Sequence, residues 1–74
     1  MDNKEYPDVR KEAIRQGWLV VPTRLGERFL GPDGITTANW HRAHASLSPR
    51  ALDWLVRDLR KGGFVWPPAQ GRPR

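Results

Sequence analysis

Between Ser48-Pro49 and Gly62-Gly63, the residues Leu52, Leu55, Val56 and Leu59 recur at helical spacing, and this one apolar stripe limits the possible folds most. A helix with a single apolar face gains most of its stability from whatever covers that face. Ser48 with Pro49 predicts the helix start, a serine N-cap followed by a proline whose missing N–H costs nothing there, and the glycine pair predicts its stop. A chain of 74 residues with no cysteine has neither a disulfide nor a thiolate zinc site to help it close. Packing into one small core is the remaining route.

The rest of the sequence supplies the covering layers. "YPDVRKEAIRQG" predicts a first helix, with Pro7 in its first turn and Gly17 at its end, and with Tyr6, Val9 and Ala13 on one stripe. "WLVVPT" is too short for a helix, is β-branched and aromatic, and stops at Pro22, which predicts a strand. "ERFLG" and "ITTA" predict two more, joined by a tight turn at Pro32, Asp33 and Gly34. Residues 39 to 47 are expected to be a loop. The order α-β-β-β-α gives an α+β fold, a three-stranded antiparallel sheet with two helices packed on one face and the other face open. A single domain is expected over residues 1–66, with 67–74 as a flexible Pro/Arg-rich tail.

Charge narrows the partners. Ten arginines and three lysines face eight carboxylates, for a net charge of +5; without Arg72 and Arg74 the balance is 11 to 8, or +3. A moderately basic domain favours a polyanion, and arginine suits bidentate phosphate contacts, although a GC-rich genome gives the same bias. The longest apolar run, Trp18 to Val21, is too short to span a bilayer, and the polar start lacks a signal peptide's apolar stretch, so no membrane association and a cytoplasmic location are expected.

The stretches "AIRQGWLVVPTRLGERFLGPDGITT" and "ALDWLVRDLRKGGF" resemble the HicA-type toxins, over roughly residues 9 to 64. The pieces that carry the likeness are Gly17-Trp18, the Gly26 turn, Pro32-Asp33-Gly34 and the Leu-rich helix closing on Gly62-Gly63-Phe64. The resemblance implies a fold similar to double-stranded RNA-binding domains, cleavage of messenger RNA without a metal, neutralisation by a HicB-type antitoxin, and a histidine just after the glycine of the first strand turn. That histidine is not retained. Glu27-Arg28-Phe29 follow Gly26, and a guanidinium binds phosphate but makes a poor general base.

Two other groupings carry possible chemistry. His41 and His44 flank Arg42 and could share acid–base duties on a ribose phosphate, whereas histidines in a small-residue loop are more often surface hydrogen-bonders. Two ligands without a third do not make a zinc site, so no metal and no cofactor are expected. Arg50, Trp54, Arg57 and Lys61 recur along the last helix opposite its leucine stripe. Trp54 among cations could stack on a base while the arginines meet phosphates, or it could be covered by Phe64 or Trp66. Trp18 and Phe29 are expected in the core, Trp40 is ambiguous, and Arg24 and Arg28 bracket the first strand turn.

These features give three expectations. The first is a nucleic-acid-binding module, RNA in preference to DNA because of the family likeness, with Arg24, Arg28, Arg42, Arg50, Trp54, Arg57 and Lys61 as contacts. The second is a phage or bacterial effector that seats a host protein on Trp54, Trp40 and Trp66. The third is an active toxin ribonuclease using His41 or His44.

Overall fold

The computed structural model describes residues 2–68. A 3-10 turn at Asn3–Glu5 leads into α1 (Tyr6–Arg15), then β1 (Leu19–Pro22), β2 (Gly26–Leu30), β3 (Thr37–His41), α2 (Arg42–Leu47) and α3 (Ala51–Arg60). The strands form one antiparallel sheet in the order β1-β2-β3. The expected α+β layout is present, with the 3-10 turn and α2 added to it.

Strand register decides which side chains meet the helices. Val20 lies opposite Phe29, which lies opposite Ala38, and Pro22, Glu27 and Trp40 line up two residues further along. These residues share one face because side chains alternate along a strand. Phe29, Ala38 and Trp40 join Val9 and Ala13 of α1 and Leu52, Leu55, Val56 and Leu59 of α3 in a single core. α1 packs on β1 and α3 on β3. On the other face, Leu19, Arg28, Thr37 and Asn39 are exposed.

Both long helices end in the same way. Gly17 (φ 99°) and Gly63 (φ 95°) take the left-handed conformation that L side chains avoid. The next residue's N–H then reaches back five residues, Trp18 to the Ala13 carbonyl at 3.0 Å and Phe64 to the Leu59 carbonyl at 3.2 Å. Each reversal drives an aromatic ring inward, leaving Trp18 and Phe64 buried.

Three local expectations change. The third strand runs on to His41, because Trp40 is buried against the helices and its ring stacks on Tyr6, with centroids 4.2 Å apart and planes 9° from parallel. Residues 42 to 47 form a short helix in place of a loop. The last helix starts at Ala51, beyond Pro49, because Arg50 (φ −105°, ψ 9°) departs from helical geometry; the Ser48 hydroxyl still accepts the Arg50 N–H at 3.2 Å.

After α3 the chain turns towards α1. Phe64 and Trp66 stack with centroids 6.1 Å apart, Arg60 donates to the Trp66 carbonyl, and the Gln16 amide exchanges two hydrogen bonds of 2.9 Å with the Val65 backbone. Of the expected flexible tail, Pro67 and Pro68 are described and residues 69–74 lie outside the described residues. Among the described residues, no helix is long and apolar enough to cross a membrane.

Candidate nucleic-acid interface

Where α3 crosses β3, the helix keeps Leu55 and Leu59 inward and leaves Trp54 on its outer flank, 49% exposed. The described residues after α3 do not cover it, since Phe64 stacks on Trp66 and the segment between them is tied to α1. Trp54 forms one wall of a shallow cleft of about 80 Å³ together with Ala51, Leu55 and Asp58 of α3. Asn39, Trp40 and His41 of β3 and His44 of α2 complete the lining. Extending β3 to His41 and then starting a helix brings the two histidines together, with ring centroids 5.2 Å apart and planes tilted by 54°.

The cations expected to bind phosphate are not among the residues that line this cleft, and they lie at differing removes from it. Arg28 lies on the open sheet face and its Nε donates to Asn39 Oδ1 at 3.3 Å, which sets it beside the cleft floor. Arg50 immediately precedes α3 and is one helical turn from Trp54. Arg57 and Lys61 follow on the same exposed side and flank Asp58, at 3.5 Å and 3.7 Å from its carboxylate. Such exposed pairs contribute little, so both cations can exchange Asp58 for a phosphate at small cost. Arg42 opens α2, with its N–H on the Leu25 carbonyl, and its charge acts on Glu27. Arg24 is exposed in the turn between β1 and β2, and no contact joins it to the cleft.

The position next to Gly26 is used structurally. Glu27 points to the helix side, where it accepts hydrogen bonds from the Tyr6 hydroxyl and from Arg10 Nε at 2.9 Å. Burial pushes the Glu27 carboxyl up, but the bonds from Tyr6 and Arg10 and the charges of Arg10 and Arg42 outweigh it and hold the group below its usual value. Burial first and the Glu27 hydrogen bond second push the Tyr6 phenol up. Glu27 thus fastens α1 to the sheet, and Arg28 points to the opposite face.

Sequence reading overlooked Asn3. Its amide donates to the carbonyls of Ala45 at 3.0 Å and Ser48 at 2.9 Å, and its oxygen accepts the Leu52 N–H at 3.1 Å. It therefore caps α3 from 49 residues away while holding the end of α2, a helix with no buried residue of its own. An asparagine near the start of a chain gives no local sign of this; only the unmet N–H groups at a helix start without its own side-chain cap point to a remote acceptor. Substitution separates the two roles. Asn3→Ala should lose about 1 kcal/mol of stability in urea unfolding. Asn3→Asp keeps the cap, adds a favourable charge at the helix start and loses both donors to α2. Its second carboxylate oxygen then faces the Ala45 and Ser48 carbonyls, so the variant should lose stability and the amides of α2 should exchange faster with solvent.

Among the described residues, no group of three or more His, Cys, Asp or Glu is placed to hold a metal ion. The cleft thus combines a stacking surface, two imidazoles and nearby guanidinium groups. No family model, curated protein or solved structure matches this chain.

Proposed function

We propose that the chain is a small RNA-binding module of the HicA-like type, acting in the cytoplasm, without the histidine on which that type's catalysis depends. The observation that carries this reading is the half-exposed Trp54 in the cleft, whose lining residues Asn39 and Asp58 are contacted by Arg28 and Arg57 and whose Ala51 adjoins Arg50. An aromatic surface for bases beside guanidinium groups for phosphates is the pairing that single-strand binding uses. The α-β-β-β-α core and the resemblance at Gly17-Trp18, Gly26 and Pro32-Asp33-Gly34 favour the family, and the structural use of Glu27 agrees with a degraded inherited centre. A HicB-like antitoxin is the partner this family likeness suggests.

The test is the triple variant Arg28→Ala, Arg50→Ala and Arg57→Ala, titrated with a short oligoribonucleotide over a range of salt. Three lost phosphate contacts should weaken binding and flatten the log–log salt dependence by about 2. An unchanged affinity and slope would remove the proposed mechanism.

The 5.2 Å approach of His41 and His44 favours a second reading, a metal-independent endoribonuclease in which one imidazole takes a ribose proton and the other supplies one to the leaving oxygen. RNA cleavage or expression toxicity lost in both His41→Ala and His44→Ala would favour it over simple binding; cleavage that persists in both would exclude these groups. The host-protein reading has less support, because Trp40 is largely buried even where it lines the cleft beside Trp54, and Trp66 lies apart from them against α1.

A further inference from the structure

We infer that the cleft takes one unpaired nucleobase, stacked on Trp54 with its Watson–Crick edge against the outer backbone of β3, so that the nucleic acid it selects is single-stranded. This rests on the RNA-binding reading and adds to it the form of RNA bound.

The outer backbone follows from the hydrogen-bond register. Arg42 N–H bonds to the Leu25 carbonyl and Gly31 N–H to the Thr36 carbonyl, which fixes Thr36, Ala38, Trp40 and Arg42 as the residues whose backbone faces β2. Thr37, Asn39 and His41 therefore turn their N–H groups outward, and Thr37 and Asn39 their carbonyls as well. Among the described residues no hydrogen bond meets these outward groups of Asn39 and His41. The opposite sheet edge differs, because Pro22 lies at an outward position of β1 and has no N–H. Only the β3 edge opens into the cleft, through Asn39 and His41.

An outward carbonyl at Asn39 followed by an outward N–H at His41 offers an acceptor and a donor in succession on a rigid strand. The Watson–Crick edge of each base likewise sets a donor beside an acceptor. Turning the base over exchanges the order, so this edge selects for an unpaired base more than for one particular base. A duplex satisfies neither requirement: its Watson–Crick edges are already paired and its ring faces are stacked on one another. The cleft, at about 80 Å³, admits the edge of a flat ring and leaves sugar and phosphate outside. Arg50 and Arg57 adjoin Ala51 and Asp58 of the cleft's α3 wall, and Arg28 is bonded to Asn39 of its β3 side.

The experiment compares three fluorescently labelled probes of equal length by anisotropy: a mixed-sequence single-stranded RNA, the same strand annealed to its complement, and an abasic ribose-phosphate strand. The single strand should bind on the order of tenfold or more tightly than either of the others. Trp54→Ala should reduce single-strand affinity on the order of tenfold or more with an unchanged salt slope, and Trp54→Phe should restore most of the loss. Far-ultraviolet circular dichroism checks that both variants fold. Equal or tighter binding of the duplex or the abasic strand would overturn the inference while leaving RNA binding intact. So would a folded Trp54→Ala protein with full affinity. If none of the probes binds, the RNA-binding reading itself fails.

Discussion

Phe29→Ala is expected to be the most damaging single substitution, lowering stability by about 3–5 kcal/mol. Phe29 is fully buried on the central strand, opposite Val20 on one side and Ala38 on the other, with Tyr6 edge-on at 6.3 Å between ring centroids. Both helices pack on this face, so no single element can shift to fill the space that the ring leaves. A chain of this length has only about 4–11 kcal/mol in total. Urea unfolding should show a midpoint shifted far to low denaturant, or no folded baseline. A change under 1 kcal/mol would mean that the core is not built around this ring.

Gly26→Ala comes next and acts through the backbone. A β carbon at Gly26 would lie 1.8 Å from the Trp40 carbonyl oxygen and 2.9 Å from the carbonyl carbon. Atoms of a paired strand cannot rotate away as a side chain's end can, so β3 must move from Trp40 to Arg42. The stability loss should reach or exceed the upper end of about 1–3 kcal/mol. Because Trp40, His41 and His44 line the cleft, the same displacement should weaken RNA binding more than an equal loss of stability elsewhere would. Calorimetry and anisotropy on one preparation would compare the two effects. A fully stable Gly26→Ala protein would contradict the close pairing of β2 with β3.

Much of the fold could be read from local pattern. The leucine stripe of α3, the proline-started α1 and the glycine stops each express a residue's intrinsic geometry. Asp33 also behaves as turn chemistry predicts, its carboxylate accepting the N–H groups of Ile35 and Thr36, both at 2.9 Å. What escaped local pattern depends on distant partners. Asn39-Trp40-His41 reads as loop because asparagine is a poor strand former, yet the stack of Trp40 on Tyr6 extends the strand through it. α2 has almost no apolar signal because only Ala45 packs, partly buried, against the core, and the helix is held by Asn3 and by the Leu25 carbonyl.

The candidate site was legible to a similar degree. The His41–His44 pair reads as part of a loop and Trp54 as part of a helix, and only the extended third strand places all three at one cleft. Asn39 and Asp58 carry no sequence signal, since one is a poor strand former in an apparent loop and the other is an ordinary acidic residue on a solvated helix side. Covering of Trp54 by the tail was an open alternative in the sequence; the Gln16 clasp on Val65 directs the described segment elsewhere.

An amide-resolved NMR titration with a short single-stranded RNA tests the central claim most directly. The account predicts that the largest shifts fall on the backbone of Asn39 and His41, on His44, and on the Trp54 indole N–H, with smaller ones along Arg50 to Lys61. Shifts concentrated instead in the groove formed by Asp8, Lys11, Glu12 and Arg15 with Trp66, or no shifts at saturating RNA, would contradict it.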